Sequence, residues 1–133
     1  MKNILVTTDF SEKSIASLHV AIGLAKQHKA KIYLLHAIEL PVRLMTNSHA
    51  SVPETLYFLR LTKQRFEELH KELDTDVEII DLVETSSLPD AVNEVVEKHK
   101  IDLVFMGSNG ASGAKELFIG SNAEKVVRSA AVP

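Results

Sequence analysis

The chain is 133 residues long, 45% hydrophobic and 25% charged, with a formal net charge of −3, the profile of one globular domain that buries about two-thirds of its unfolded surface. A small acidic balance gives no footing for a nucleic-acid or membrane-surface role, and no apolar run approaches the length of a membrane span. The absence of cysteine excludes disulfides, thiol catalysis and thiolate metal sites.

Met1-Lys2-Asn3 leads directly into Ile4-Leu5-Val6, a short apolar strand rather than a secretory signal, so a cytoplasmic protein is predicted. That strand ends in polar Thr7-Thr8-Asp9. Ser11 is placed to cap a helix whose Ile15, Leu18, Ala21, Ile22 and Ala25 fall on one face. Lys31 to Ile38 is nearly continuous apolar sequence, as in a strand covered on both faces of a parallel sheet. Glu39 to Pro53 contains two prolines and no period and reads as a long loop. Leu56, Leu59, Phe66, Leu69 and Leu73 then mark a second, longer amphipathic helix.

Val77, Ile79, Leu82 and Val83, with Glu78 and Asp81 interspersed, predict a third strand, and the partial alternation places it at the outside of the sheet. Ser87 is placed to cap a third helix with Pro89 in its first turn and Ala91, Val92, Val95 and Val96 facing inward. Ile101 to Met106 is a fourth strand, and a last helix runs from Asn122 to Ala130. Strands alternating with helices imply right-handed crossovers and an α/β, doubly wound, open parallel sheet forming a single domain over residues 1–133. Such a sheet normally takes a fifth strand after the last helix, where this sequence reads Ala131-Val132-Pro133.

The fourth strand leads into Gly107-Ser108-Asn109-Gly110, and nine intervening residues separate Gly110 from Gly120-Ser121. Glycines at such a junction let another group approach the backbone, and a helix start offers free N–H groups and the positive end of a dipole to an anion. Ser121 with Glu124 has the S-x-x-E spacing of a capping box. Spacing alone leaves two readings open: a backbone cradle for phosphate, or a capped turn between strand and helix. There is no G-x-x-x-x-G-K-[ST], and no glycines follow the first strand, where a dinucleotide fingerprint would place them. The six histidines are scattered; His36, in an apolar strand, reads as a satisfied core histidine.

From the first strand to the last helix, the chain resembles the universal stress proteins. The resemblance rests on Leu5-Val6-Thr7-Thr8-Asp9-Phe10-Ser11, on Leu34-Leu35-His36-Ala37, and on Asp102 through Gly110 with Gly120-Ser121. Nucleotide-binding members of that family carry G-x2-G-x9-G-[ST], which Gly107, Gly110, Gly120 and Ser121 match without a gap. The resemblance implies a five-stranded parallel sheet of order 3-2-1-4-5 with helices on both faces, and binding of ATP or a related adenine nucleotide. It implies that Asp9, with Thr7 or Thr8, meets the adenosine or ribose and that the backbone at Ala37 bonds the adenine edge. Gly107, Ser108, Gly110, Gly120, Ser121 and Asn122 would hold the phosphates. Mg²⁺ or Mn²⁺, where present, would be held by phosphates and water rather than by a protein metal cluster.

The resemblance also implies a stress-response regulatory module, working as a homodimer or beside a tandem second domain, and the absent fifth strand suggests a truncated domain or half of such a tandem. Asp9 keeps a purely structural reading as a turn residue ahead of the helix cap. An ATPase or nucleotide hydrolase is the competing class, but the stretch from Gly107 to Gly120 carries only Lys115 and Glu116 as charged groups, which suits at most slow phosphoryl transfer. A phosphoacceptor receiver domain would show paired acids after the first strand, and only Asp9 is there. A fourth class is a domain of this fold that binds no ligand and serves as an interaction surface.

Overall fold

The computed structural model describes residues 2–38 and 48–106. In chain order they form β1 (Asn3–Thr7), α1 (Glu12–His28), β2 (Lys31–Ala37), α2 (Ser48–Glu72), β3 (Ile79–Glu84), α3 (Leu88–His99) and β4 (Leu103–Phe105). The strands make one parallel sheet in the order β3-β2-β1-β4.

Side-chain alternation divides the core between the two faces of this sheet. Ile4 and Val6 of β1 and Ile32 and Leu34 of β2 meet Leu18, Ala21, Ile22 and Ala25 of α1 and Phe66 and Leu69 of α2 on one face. Leu5, Tyr33 and Leu35 meet Ala91, Val92, Val95 and Val96 of α3 on the other. Two successive crossovers step outward from β1 to β2 to β3, so crossovers of one hand put α1 and α2 on the same side. The third returns past β1 to β4, which puts α3 on the opposite side.

The helix ends are chemically specified. Ser11 accepts from the Ser14 N–H at 3.3 Å to start α1, and Ser87 accepts from the Asp90 N–H at 3.4 Å to start α3. Both helices end on a lysine in the left-handed region, Lys29 at φ 53° and Lys100 at φ 52°. The residue after each bonds back to the last turn, Ala30 N–H to the Ala25 carbonyl and Ile101 N–H to the Val96 carbonyl.

Several boundaries differ from the sequence reading, among them the start of β3, which begins at Ile79 and leaves Val77 in the bend before it. α2 begins at Ser48, so residues 48–53 of the expected Glu39–Pro53 loop are helical and Pro53 lies inside the helix. Pro53 is the sixth residue of that helix, where its fixed φ is helical but its missing N–H removes one i→i−4 bond and its ring crowds that carbonyl; residues 39–47 lie outside the described residues. β4 is shorter than Ile101–Met106, because Ile101 is still tied to the end of α3. The outer position expected for β3 is observed: it is an edge of the sheet, and its exposed Asp81 is met by His70 Nε2 of α2 at 2.8 Å. The helix expected from Asn122 to Ala130 lies outside the described residues.

Candidate functional site

The register decides which residues share an edge. β1 pairs with β2 up to Thr7↔Leu35 and with β4 up to Val6↔Phe105, both in parallel. Thr7, Thr8 and Asp9 therefore leave the sheet beside Ala37 on one side and Met106 on the other. The connection out of β1 goes to one face and the connection into β4 comes from the other, so this is the topological switch point, where open α/β sheets hold ligands.

The turn out of β1 is built from its own polar groups. Thr8 is buried, its N–H donates to the Leu35 carbonyl at 2.8 Å, and its hydroxyl accepts the Phe10 N–H at 2.9 Å while contacting Ser14 Oγ at 3.0 Å. Asp9 is exposed, and its Oδ1 accepts the Ser11 N–H at 2.9 Å, an Asx turn immediately before the α1 cap. Phe10 has φ 64°, a left-handed conformation that is an outlier for a bulky side chain. Its ring is wedged between His36 (centroids 5.0 Å apart) and the edge of Phe66 (5.1 Å), with the Arg65 guanidinium 5.8 Å from its centroid.

Of the predicted site residues, the structure brings Thr7, Thr8, Asp9 and Ala37 to this one edge. Gly107, Ser108, Gly110, Gly120, Ser121 and Asn122 lie outside the described residues, and Met106, half-buried at the end of β4, is the last one described before them. Thr8 spends its hydroxyl on the protein's own turn. The structural reading of Asp9 is present in the Asx turn, and the residue is exposed at the surface of the edge.

Two residues here escaped the sequence reading. Phe10 carries no sequence signal for positive φ, and His36 is half-buried at the edge rather than enclosed in the core, with Nδ1 2.8 Å from the Thr8 carbonyl. The described residues contain no group of three or more His, Asp or Glu able to hold a metal ion. No helix among them is long and apolar enough to cross a membrane. At the opposite edge Asp102 accepts the N–H groups of Lys2 and Asn3 at 2.8 and 3.0 Å, which hold its carboxyl below the usual carboxylate range.

Comparison with known proteins agrees with this architecture. The chain is 28% identical to a universal stress protein of Methanocaldococcus jannaschii (MJ0531) over 99% of its own length and 79% of the relative's. The solved structure of hypothetical protein MJ0577 superposes with a TM-score of 0.82 at 25% identity, covering 99% of this chain and 92% of that one. A universal stress protein solved in complex with cAMP shares the fold at a TM-score of 0.66 and 20% identity, over 98% of this chain and 91% of that one. The model of the universal stress protein family matches residues 1–133, and with the β3-β2-β1-β4 sheet in place this chain belongs to that family.

Proposed function

We propose that the chain binds ATP or a related adenine nucleotide at the C-terminal edge of β1, β2 and β4 and acts as a regulatory module in a stress response. One observation carries the reading. The β1–β4 pairing, ending at Val6↔Phe105, puts Asp9 next to the strand from which the G-x2-G-x9-G-[ST] run of Gly107, Gly110, Gly120 and Ser121 departs. Asp9 contacts the ribose, with Thr7 beside it and Thr8 holding the turn, and the Ala37 backbone meets the adenine edge. The N–H groups around Gly107, Ser108, Gly110, Gly120, Ser121 and Asn122 take the phosphates. The cAMP complex of a fold neighbour supports keeping cyclic nucleotides among the candidates.

The reading is of a binder first. Fast phosphoryl transfer needs charge clamps and a group that orients the nucleophile, whereas Gly107 to Gly120 supplies Lys115 and Glu116 alone. Hydrolysis is at most slow, and any Mg²⁺ or Mn²⁺ is carried by the phosphates and water. Occupancy then biases association with a second copy or a tandem second domain. The test is calorimetric titration of ligand-free protein with ATP and Mg²⁺. Gly110→Val places a β-branched side chain where backbone meets phosphate, and Gly120→Val crowds the capped helix start; each should abolish the binding heat. Ser121→Ala should weaken binding less, losing a hydroxyl contact and about 1 kcal/mol of capping. A Gly120→Val protein that binds like the parent would show the phosphate assignment to be wrong.

A further inference from the structure

In a parallel ladder the donors and acceptors of alternate residues bond to one neighbour, so each rung predicts the next. Here the rung Thr7↔Leu35 closes with the Thr8 N–H on the Leu35 carbonyl at 2.8 Å. The next bond in the series would run from the Ala37 N–H to the Thr8 carbonyl. That rung is missing, because the paired residues of β1 and β2 end at Thr7↔Leu35, and the Thr8 carbonyl meets the Nδ1 of His36 at 2.8 Å instead. A carbonyl only accepts, so Nδ1 carries the proton and the neutral ring is the Nδ1–H tautomer. The ring is clamped in that pose. Phe10 packs on it at 5.0 Å, and the Phe10 N–H is itself fastened to Thr8 Oγ1 at 2.9 Å.

We propose that His36 is a positioning residue: its imidazole takes the Thr8 carbonyl out of the β1–β2 ladder and thereby releases the Ala37 N–H to a ligand. Ile38, the next residue, turns its N–H to β3, bonding the Glu84 carbonyl at 2.7 Å. By alternation the Ala37 N–H faces the end of β1, beside Asp9. A backbone donor there suits an acceptor nitrogen of a purine ring, and this part rests on the nucleotide reading above. The release itself rests only on the ladder, so the two can fail separately.

Residue-resolved amide exchange tests the release in ligand-free protein. The Ala37 amide should exchange at least about 100-fold faster than that of Leu35, which lies inside the same strand. His36→Leu removes the ring donor and lets Ala37 rejoin the Thr8 carbonyl, so its amide should slow at least about tenfold. The same variant should lose about tenfold in ATP affinity, or about 1.4 kcal/mol. His36→Asn keeps a side-chain donor on a similar stem and should stay within about threefold of the parent in both readouts. A merely structural histidine would not slow Ala37 exchange while weakening ATP binding, nor be rescued by Asn.

An Ala37 amide as protected as Leu35 in the ligand-free parent overturns the proposal. So does a His36→Leu protein that binds ATP like the parent. Where His36→Leu fails to fold, the parent's exchange and His36→Asn still decide: slow Ala37 exchange, or an Asn variant that loses affinity with the fold intact, overturns it. A parent with fast Ala37 exchange and no affinity for ATP leaves the release standing and removes the nucleotide reading.

Discussion

Phe10 gives a prediction in which two variants isolate one energy. The residue sits at φ 64°, and a left-handed conformation disfavours an L-residue by roughly 1–2 kcal/mol. What holds it there is the ring, wedged between His36 and Phe66 at 5.0 and 5.1 Å and capped by Arg65. Truncating a buried Phe to Ala costs about 3–5 kcal/mol, and Phe10 is half-buried, so about 2 kcal/mol is expected from lost packing in either variant. Phe10→Ala loses the packing and keeps the strain. Phe10→Gly loses the packing but sheds the strain, against about 0.5–1 kcal/mol of extra unfolded-state entropy. Gly should therefore be the more stable of the two by about 0.5–1 kcal/mol, a melting difference of roughly 2–5 °C for a domain of this size. Parent, Phe10→Gly and Phe10→Ala should melt in descending order in thermal scans checked by urea titration. This inverts the usual ranking of Ala over Gly. An Ala variant that melts at or above the Gly variant would refute the strain argument, and a parent below either would refute the wedge.

Other outcomes follow from single contacts. Leu34→Ala empties a fully buried position between β2 and the α1 face and should destabilise by about 3–5 kcal/mol in urea unfolding. Ser87→Ala, which removes the hydroxyl that accepts the Asp90 N–H, should cost about 1 kcal/mol by the same assay. Asp102, whose carboxyl is lowered by the N–H groups of Lys2 and Asn3, stabilises the fold above its unfolded pKa of about 3.9, and that contribution is lost as pH falls through the lower folded value. Melting curves of the parent and Asp102→Asn should therefore differ at neutral pH and converge in acid; a gap that persists unchanged to pH 2 contradicts the linkage. Saturating ATP at about 100 times its Kd should stabilise the parent by roughly 2.7 kcal/mol.

Much of this architecture was legible because its signals are local. The continuous apolar run of β2 marks a strand buried on both faces, and Asp81 amid apolar neighbours marks β3 as an edge. Ser11 and Ser87 name their helix starts through a hydroxyl three residues ahead of the N–H that it accepts. The strand order came from the family resemblance, since the pattern of elements does not say that β1 lies between β2 and β4. What could not be read depends on packing. Phe10, Lys29 and Lys100 take positive φ without being glycine, because ring contacts or helix-end hydrogen bonds outweigh a local penalty. The start of α2 before Pro53 escaped a rule that treats proline as a boundary. The position of Asp9 at the sheet edge was legible from its place after β1. The diversion of the Thr8 carbonyl by His36 was not, since it needs both strands and the ring in place.

The most direct test of the central claim is to follow backbone amide chemical shifts while ligand-free protein is titrated with ATP and Mg²⁺. Saturable shifts are expected at Asp9, Ala37, Gly107, Gly110, Gly120 and Ser121, with Lys2, Lys31 and Glu78 at the opposite edge of the sheet unmoved. No saturable shifts, or shifts confined to that opposite edge, would contradict a nucleotide site at the switch point.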